Sequence, residues 1–372
     1  MRISIISNSA SPSKNASSLQ TAKLCESLSE IGHEVTLILP GTGYKKNLYN
    51  FYNIKFKFKI IILKFFKKFP VGINYYLFSL WAIYSSNYRN QDFLITRNFF
   101  VSFILCILKK KHIVEIHDDL KIEGRIVRFL VFFTKFLNSN NILKLITTTS
   151  TLKKIYSTEY GILKNKIQVL HNASSLNVKF KYYKNMKKKL NVGYFGSIYK
   201  SRGLNIITKL SEIDKYNNYY VYGGEKNDVI ELKKKYRNSN IFFSEYIPYL
   251  KIEKKLNKID ICILPYTKKI TVSGNVGDIS NYTSPLKIFD YMKTGKLIIC
   301  SNLKVIREVL ENNKNSILVN DFDKLNSWLT NINLIRLNKN KFNRIRRNAY
   351  IFGNKYNNIW RVKSMLSNIN LK

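Results

Sequence analysis

Acidic residues are scarce in this 372-residue chain: 23 Asp and Glu stand against 63 Lys and Arg, a formal net charge of +40. Proline (6) and glycine (15) are also few, which excludes collagen-like and low-complexity architectures. The four cysteines, Cys25, Cys106, Cys262 and Cys300, are far apart and form no CxxC pair. A disulfide framework or a cysteine-rich zinc site is therefore not expected, and reduced, buried thiols are. His33, His112 and His171 show no metal-ligand spacing, and no HExxH, Walker loop, nucleophile elbow or EF-hand is present, so no metal site is expected. No apolar run reaches about 18 residues; Ile73–Tyr84, roughly a dozen, is too short to span a bilayer. The N-terminal MRISIISNSA lacks the long apolar region and small-residue cleavage site of a signal peptide.

What is present is a foldable chain. Hydrophobic residues make up 45% and aromatics 14%, which excludes a disordered polycation. The length suggests two domains, each able to bury a core. The positive charge is spread evenly: residues 1–185 carry 28 basic and 9 acidic groups (+19), residues 186–372 carry 35 and 14 (+21). Within the first half, residues 35–111 hold 13 Lys/Arg and one acid, Asp92. Charge alone leaves three readings open: nucleic-acid binding, attraction to an anionic membrane, and a Lys-, Asn- and Ile-rich amino-acid usage without mechanistic meaning.

The order of elements is more informative. Arg2–Ile6 and Val35–Leu39 read as strands around a helix that ends at Gly32; strand, helix, strand with short joints implies a parallel pair with a right-handed crossover. Asp92–Thr96, His112–Ile116, Leu145–Thr148 and Ile167–Leu170 continue the pattern. After a basic stretch, Lys179–Leu190, it restarts with Asn191–Phe195, Tyr219–Tyr222, Ile241–Phe243, Ile261–Leu264, Leu297–Cys300 and Ile317–Val319. The expected fold is α/β: two Rossmann-like, doubly wound domains facing across a cleft, with ligand at the carboxyl ends of the strands. The expected boundaries are 1–185 and 186–345, with a closing helix, 346–372, available to pack back on the first domain.

Three constellations carry chemistry. Gly196 ends the strand Asn191–Phe195, and Arg202-Gly203 then opens a helix; glycine permits close backbone approach, and free N–H groups with Arg202 and Lys200 suit a phosphate. Such joints also occur for purely structural reasons. In Ser284-Pro285-Leu286-Lys287…Asp290…Gly295, Ser284 suits N-cap, Pro285 N1 and Gly295 C′. Lys287 falls at N3, where a cation is unfavourable by about 0.3–1 kcal/mol unless a bound anion shares the site. Asp290 follows on the same face and could accept from paired sugar hydroxyls; the bland alternative is a solvated Lys–Asp pair. Third, Val114-Glu115-Ile116-His117-Asp118-Asp119 ends a first-domain strand, where His117 could bind a hydroxyl or handle a proton, or simply be structural.

At these residues the sequence resembles the retaining, GT-B-fold glycosyltransferase family 4, over nearly the whole chain. The matching stretches include Gly32-His33-Glu34-Val35, Glu115–Asp118, Val169-Leu170-His171-Asn172-Ala173, Tyr194-Phe195-Gly196, Arg202-Gly203 and Tyr222-Gly223-Gly224. The most specific is Ser284–Met292, followed by Arg307-Glu308-Val309-Leu310. The resemblance implies sugar transfer from a nucleotide-sugar donor, UDP- or GDP-linked, bound mainly by the second domain, with no tightly bound metal. Arg202 and Lys287 would hold the diphosphate, Gly196, Gly203 and the Ser284-Pro285-Leu286 backbone would approach it, Asp290 would bind ribose, and His117 would reach the sugar. The sequence departs from the family in having Arg at position 202 for the usual Lys, Asp290 for Glu, and Tyr282 where many members carry a sugar-binding Glu. The loop Ser273–Tyr282, with Asp278, is then the remaining candidate for that contact.

The resemblance further implies a glycan or lipid-linked acceptor, as in surface polysaccharide assembly, in a cytoplasmic or peripheral inner-face enzyme. Lys55–Lys68 and Arg125–Lys135 interleave cations with large apolar groups, as a segment lying on an anionic leaflet would, or would instead pack in the first domain's core. Two other classes remain: a nucleotide-sugar epimerase of similar architecture, and a nucleic-acid-binding protein suggested by charge alone, for which no recognition motif is found.

Overall fold

The computed structural model describes residues 1–41, 45–63, 71–184, 187–198, 200–237, 239–271 and 277–369. The chain divides into two units, Met1–His171 with Asn358–Lys372, and Asn172–Asn357. No helix among the described residues is long and apolar enough to cross a membrane.

In the first unit, strands β1 (Arg2–Ile6), β2 (Glu34–Pro40), β3 (Lys59–Leu63), β4 (Phe93–Thr96), β5 (His112–Ile116), β6 (Ile142–Thr147) and β7 (Ile167–Val169) form a seven-stranded sheet in the order β3-β2-β1-β4-β5-β6-β7. Every pairing is parallel. β4 and β5 are buried along their whole length, as strands covered on both faces are. Helices α1 (Ala16–Glu30), α2 (Lys45–Tyr52), α3 (Val71–Ser85), α4 (Phe99–Ile107), α5 (Arg125–Thr134) and α6 (Ser150–Thr158) connect them. Right-handed crossovers send α1 and α2 to one face and α3 to α6 to the other, because the chain winds left from β1 and rightward from β3. The core follows: Ile3, Ile5, Leu24 and Leu28 cluster on the α1 side, and Ile6, Ala82, Ile83, Val101 and Leu105 on the α3–α4 side.

In the second unit, β8 (Asn191–Phe195), β9 (Asn218–Gly224), β10 (Ile241–Glu245), β11 (Ile261–Leu264), β12 (Leu297–Ser301) and β13 (Ile317–Val319) form a six-stranded sheet in the order β10-β9-β8-β11-β12-β13, again all parallel. Its helices are α7 (Leu204–Ile213), α8 (Lys226–Lys235), α9 (Tyr249–Leu256), α10 (Leu286–Lys293), α11 (Leu325–Leu337) and α12 (Lys339–Lys355). A last helix, α13 (Asn358–Leu366), belongs to the first unit, where Val362 and Met365 enter the α1-side core.

The structure sharpens three expectations. The division falls at His171/Asn172 rather than 185/186, because the basic stretch after Lys179 is anchored to the second unit. There Arg346 lies 4.3 Å from the Tyr183 ring centroid and donates to the Lys181 carbonyl, and Tyr183 OH donates to Asp260. The closing helical stretch is two helices, of which only α13 joins the first unit; Trp360 stays 45% exposed while Val362 and Met365 do the packing. Finally, part of Lys55–Lys68 is the edge strand β3, with Ile60 and Leu63 buried, because its β-branched run pairs with β2. Residues 64–68 lie outside the described residues.

Candidate functional site

In the second unit the carboxyl end of β8 meets the start of α10. Gly196 has φ +144, and a Cβ there would fall 2.1 Å from Lys287 Nζ, so only glycine leaves room for this ammonium. Gly223 approaches just as closely: a Cβ on it would sit 2.4 Å from the Gly196 carbonyl oxygen. Lys287 Nζ donates to Tyr194 OH at 3.2 Å and lies 4.4 Å from that ring's centroid. Tyr194 OH in turn donates to the Ser197 carbonyl at 2.7 Å. Burial first, and then the Arg202 charge, hold the Lys287 ammonium well below the ordinary lysine range.

Arg202 comes from the joint between β8 and α7. Gly203, φ +79, is the N-cap of α7; a Cβ there would strike the Pro265 carbonyl oxygen at 1.8 Å. This close approach sets Arg202 beside the segment after β11. Its Nη2 donates to the Thr271 carbonyl at 3.0 Å, and its guanidinium stacks 5.6 Å from the Tyr266 centroid. Ser201 Oγ and Thr271 Oγ1, 2.8 Å apart, fix the same junction. Among the described residues, neither Arg202 nor Lys287 is paired with an Asp or Glu. Two neighbouring cations without a carboxylate form a site that would be completed by an anion. The side chain of Lys200 lies outside what is described.

The helix itself starts one residue later than expected. Pro285 is the N-cap and Leu286 the first helical residue, so Ser284 does not cap and Lys287 stands at N2. Ser284 instead offers its carbonyl to Asn172 Nδ2 at 2.7 Å. The first amides of α10, near Lys287, lack intrahelical acceptors. Gly295, φ +60, closes the helix at C′. Asp290 departs from its expected role as an open acceptor. It is 5% exposed, and its Oδ1 accepts from Ser174 Oγ at 2.6 Å and Tyr249 OH at 3.1 Å, so the carboxylate ties α10 to the incoming chain and to α9. Asp278 accepts from the amides of Ser280 and Ile270, which closes its own loop; residues 272–276 lie outside the described residues.

His117 stands after β5 in the first unit, above a buried carboxylate. Glu115 accepts from Arg97 Nε at 2.8 Å through Oε2 and faces Arg361 Nη1 of α13 at 2.8 Å through Oε1; His117 Nε2 lies 3.7 Å from Oε2. Burial alone would raise the Glu115 pKa, but Arg97 and Arg361 outweigh it and hold the carboxyl well below its usual range. Burial, then Arg97, push His117 down to about 4, so the imidazole is neutral at pH 7. Sequence reading missed Arg97 and Arg361, whose positions carry no local motif, and assigned no role to Tyr194 or Tyr266. Among the described residues, no group of three or more His, Cys, Asp or Glu is arranged to hold a metal ion.

Residues 189–334 match the family described as glycosyl transferases group 1. That span contains Gly196, Arg202, Gly203, Lys287 and Asp290. The fold of nearly the whole chain is that of solved GT-B glycosyltransferases. It resembles Anabaena HepE, crystallised with UDP and glucose, with TM-score 0.72 at 12% identity over 98% of this chain and 99% of that one. Similar likeness holds for a Staphylococcus aureus TarM variant in complex with fondaparinux, alpha-GlcNAc-glycerol and UDP (0.71, 11%, 99% of both chains). Sucrose-phosphate synthase from Thermosynechococcus elongatus also aligns (0.70, 11%, 98% and 97%). No curated protein matches the sequence.

Proposed function

We propose that this chain is a retaining, family 4-type glycosyltransferase that moves a sugar from a UDP- or GDP-linked donor to a glycan or lipid-linked acceptor in surface polysaccharide assembly. The observation that carries the reading is the half-buried pair of basic side chains Lys287 and Arg202, without a carboxylate partner among the described residues, at a glycine-lined strand end and a helix start. Departure of a nucleoside diphosphate builds negative charge where these groups converge; preorganised donors in a dry site stabilise such charge without reorganising. Arriving phosphate would restore the Lys287 charge that burial suppresses. No tightly bound metal is part of this reading. His117, neutral, serves as a hydrogen-bond partner for the donor sugar, and Asp290 acts by holding α10 in place.

The test is a panel of UDP- and GDP-sugars offered to the purified protein, following released nucleoside diphosphate and protection from thermal unfolding. Lys287→Ala should remove a charge-assisted bond worth about 1.5–3 kcal/mol, which is roughly 10- to 150-fold in turnover if expressed in the transition state. Wild-type turnover by a folded Lys287→Ala protein would sink the assignment. An epimerised nucleotide sugar formed without acceptor would replace transfer by epimerisation.

A further inference from the structure

We infer that the outward face of the α3–α5 helix layer in the first unit docks on an anionic bilayer surface. The argument starts with α5, whose polarity is reversed for a helix facing water. Val127 and Val131 are buried, yet Ile126, Phe129, Phe132 and Phe133 are 53–73% exposed. At 100° per residue, Phe129 points opposite the direction midway between the two valines, so the apolar residues form the outer face rather than the edge of the inner one. The Phe129 and Phe133 rings lie 4.2 Å apart, a continuous aromatic surface that stays largely exposed among the described residues.

The second helix repeats the feature. Residues 71–85 contain no charged side chain, and Ile73, Leu77, Leu80 and Tyr84 are exposed at helical spacing, a single stripe. Because α3, α4 and α5 occupy the same side of the sheet, both stripes point the same way. Isolated exposed apolar residues need no explanation, but two aligned stripes mark an interaction surface.

Charge selects the occupant. Residues 125–135 carry Arg125, Arg128 and Lys135 and no acid. Of the nearby acids, Glu159 is engaged by Lys121 at 2.7 Å, and burial, then the Asp118 charge, push Glu123 up to about 7. The surface is therefore apolar with a cationic margin. A second copy of this chain would bring a like-charged margin against it, whereas an anionic leaflet accepts the aromatics among its acyl chains and the cations at its phosphates. Ten residues span only about 15 Å as a helix, so α5 lies in the interface and does not cross it.

Cosedimentation with phosphatidylglycerol–phosphatidylcholine vesicles, against pure phosphatidylcholine, tests this without donor or acceptor and so independently of the function proposed above. The wild type should bind the anionic vesicles at physiological ionic strength, and Phe129→Ser/Phe133→Ser should weaken binding at least about tenfold. These side chains are exposed, so the double variant should keep the wild-type unfolding temperature. Equal binding by wild type and variant, no preference for anionic vesicles, or a wild-type dimer that the double substitution dissociates would each overturn the proposal.

Discussion

Lys287 Nζ sits 4.4 Å above the centre of the Tyr194 ring and 3.2 Å from its hydroxyl, where a carboxylate would ordinarily meet a buried ammonium. A phenol and an aromatic face are weak partners for a desolvated charge. They hold the side chain in place without stabilising its charge, and that leaves the amine ready to take up a proton against an anionic ligand. The strand Asn191–Phe195 thus does two things at its end: Tyr194 supports the lysine, and Gly196 makes room for it.

This arrangement predicts proton uptake on binding nucleoside diphosphate. The Lys287 pKa lies well below its usual value in the free protein, by burial and then by Arg202, and a bound diphosphate raises it again. Affinity for UDP should be full below the free-state pKa and fall as pH rises from there toward the bound-state pKa, by up to about tenfold per unit. Calorimetry in buffers of different ionisation enthalpy would read the uptake directly. Binding without uptake, and with no pH dependence, would mean that Lys287 does not face the phosphates.

Gly196→Ala should harm binding more than folding. The added Cβ would occupy the position 2.1 Å from Lys287 Nζ, and φ +144 is a conformation that alanine adopts poorly. The backbone strain costs about 1–3 kcal/mol, and the lysine tip, being flexible, can move aside. Moving it takes the charge from the site, so UDP affinity should drop about tenfold or more while the unfolding temperature falls by only several degrees. Titration of the folded variant with UDP separates the two effects; unchanged affinity would detach Gly196 from the site.

The sequence carried the strand order because each strand is a short apolar run between turn signals, and parallel sheets buried on both faces leave that mark. It did not reveal β3, where Lys55, Lys57 and Lys59 disguise a run whose Phe58, Ile60 and Leu63 are buried. Gly196, Arg202 and Lys287 stand out in the sequence because glycine and lysine stand where backbone and helix physics disfavour them, and the structure brings Gly196 against Lys287 with Arg202 nearby. The partners of Asp290 were hidden for the converse reason: Ser174 and Tyr249 lie 116 and 41 residues away, and no local pattern announces them. The same distance hid Arg361, which reaches Glu115 from the far end of the chain.

That link gives a stability prediction. Glu115 is buried between Arg97 and Arg361, so Arg361→Leu leaves a carboxylate with half its compensation. Loss of one partner of a lone buried pair costs about 3–5 kcal/mol, and with Arg97 remaining about 2–3 kcal/mol is expected. Glu115 has a depressed folded-state pKa, so its contribution is present above the unfolded value, 4.5, and is lost as pH falls through the folded one. The difference between wild type and variant, followed by thermal unfolding, should therefore be largest near pH 7 and shrink in acid. A difference independent of pH would show that Arg361 acts by packing alone.

Glu123 predicts the opposite sign. Burial, and then the Asp118 charge, push its carboxyl up to about 7, against 4.5 as the reference. Between those values the folded state holds a proton that the unfolded state has released, so this group makes the protein less stable as pH rises from 4.5 to 7, and the full penalty remains above 7. A neutral isostere escapes it. Glu123→Gln should therefore raise the unfolding temperature at pH 8, with a gain of up to about 3 kcal/mol for a rise from 4.5 to about 7, and have little effect at pH 5, where the wild-type carboxyl is already protonated in the folded state. His112 and His117, both pushed down to about 4 chiefly by burial, favour the folded state increasingly as pH rises from 4 toward 6.5, and they do so equally in wild type and variant. The comparison of the two proteins at each pH cancels their contribution, so a gain at pH 8 that persists undiminished at pH 5 would exclude ionisation of Glu123 as its cause.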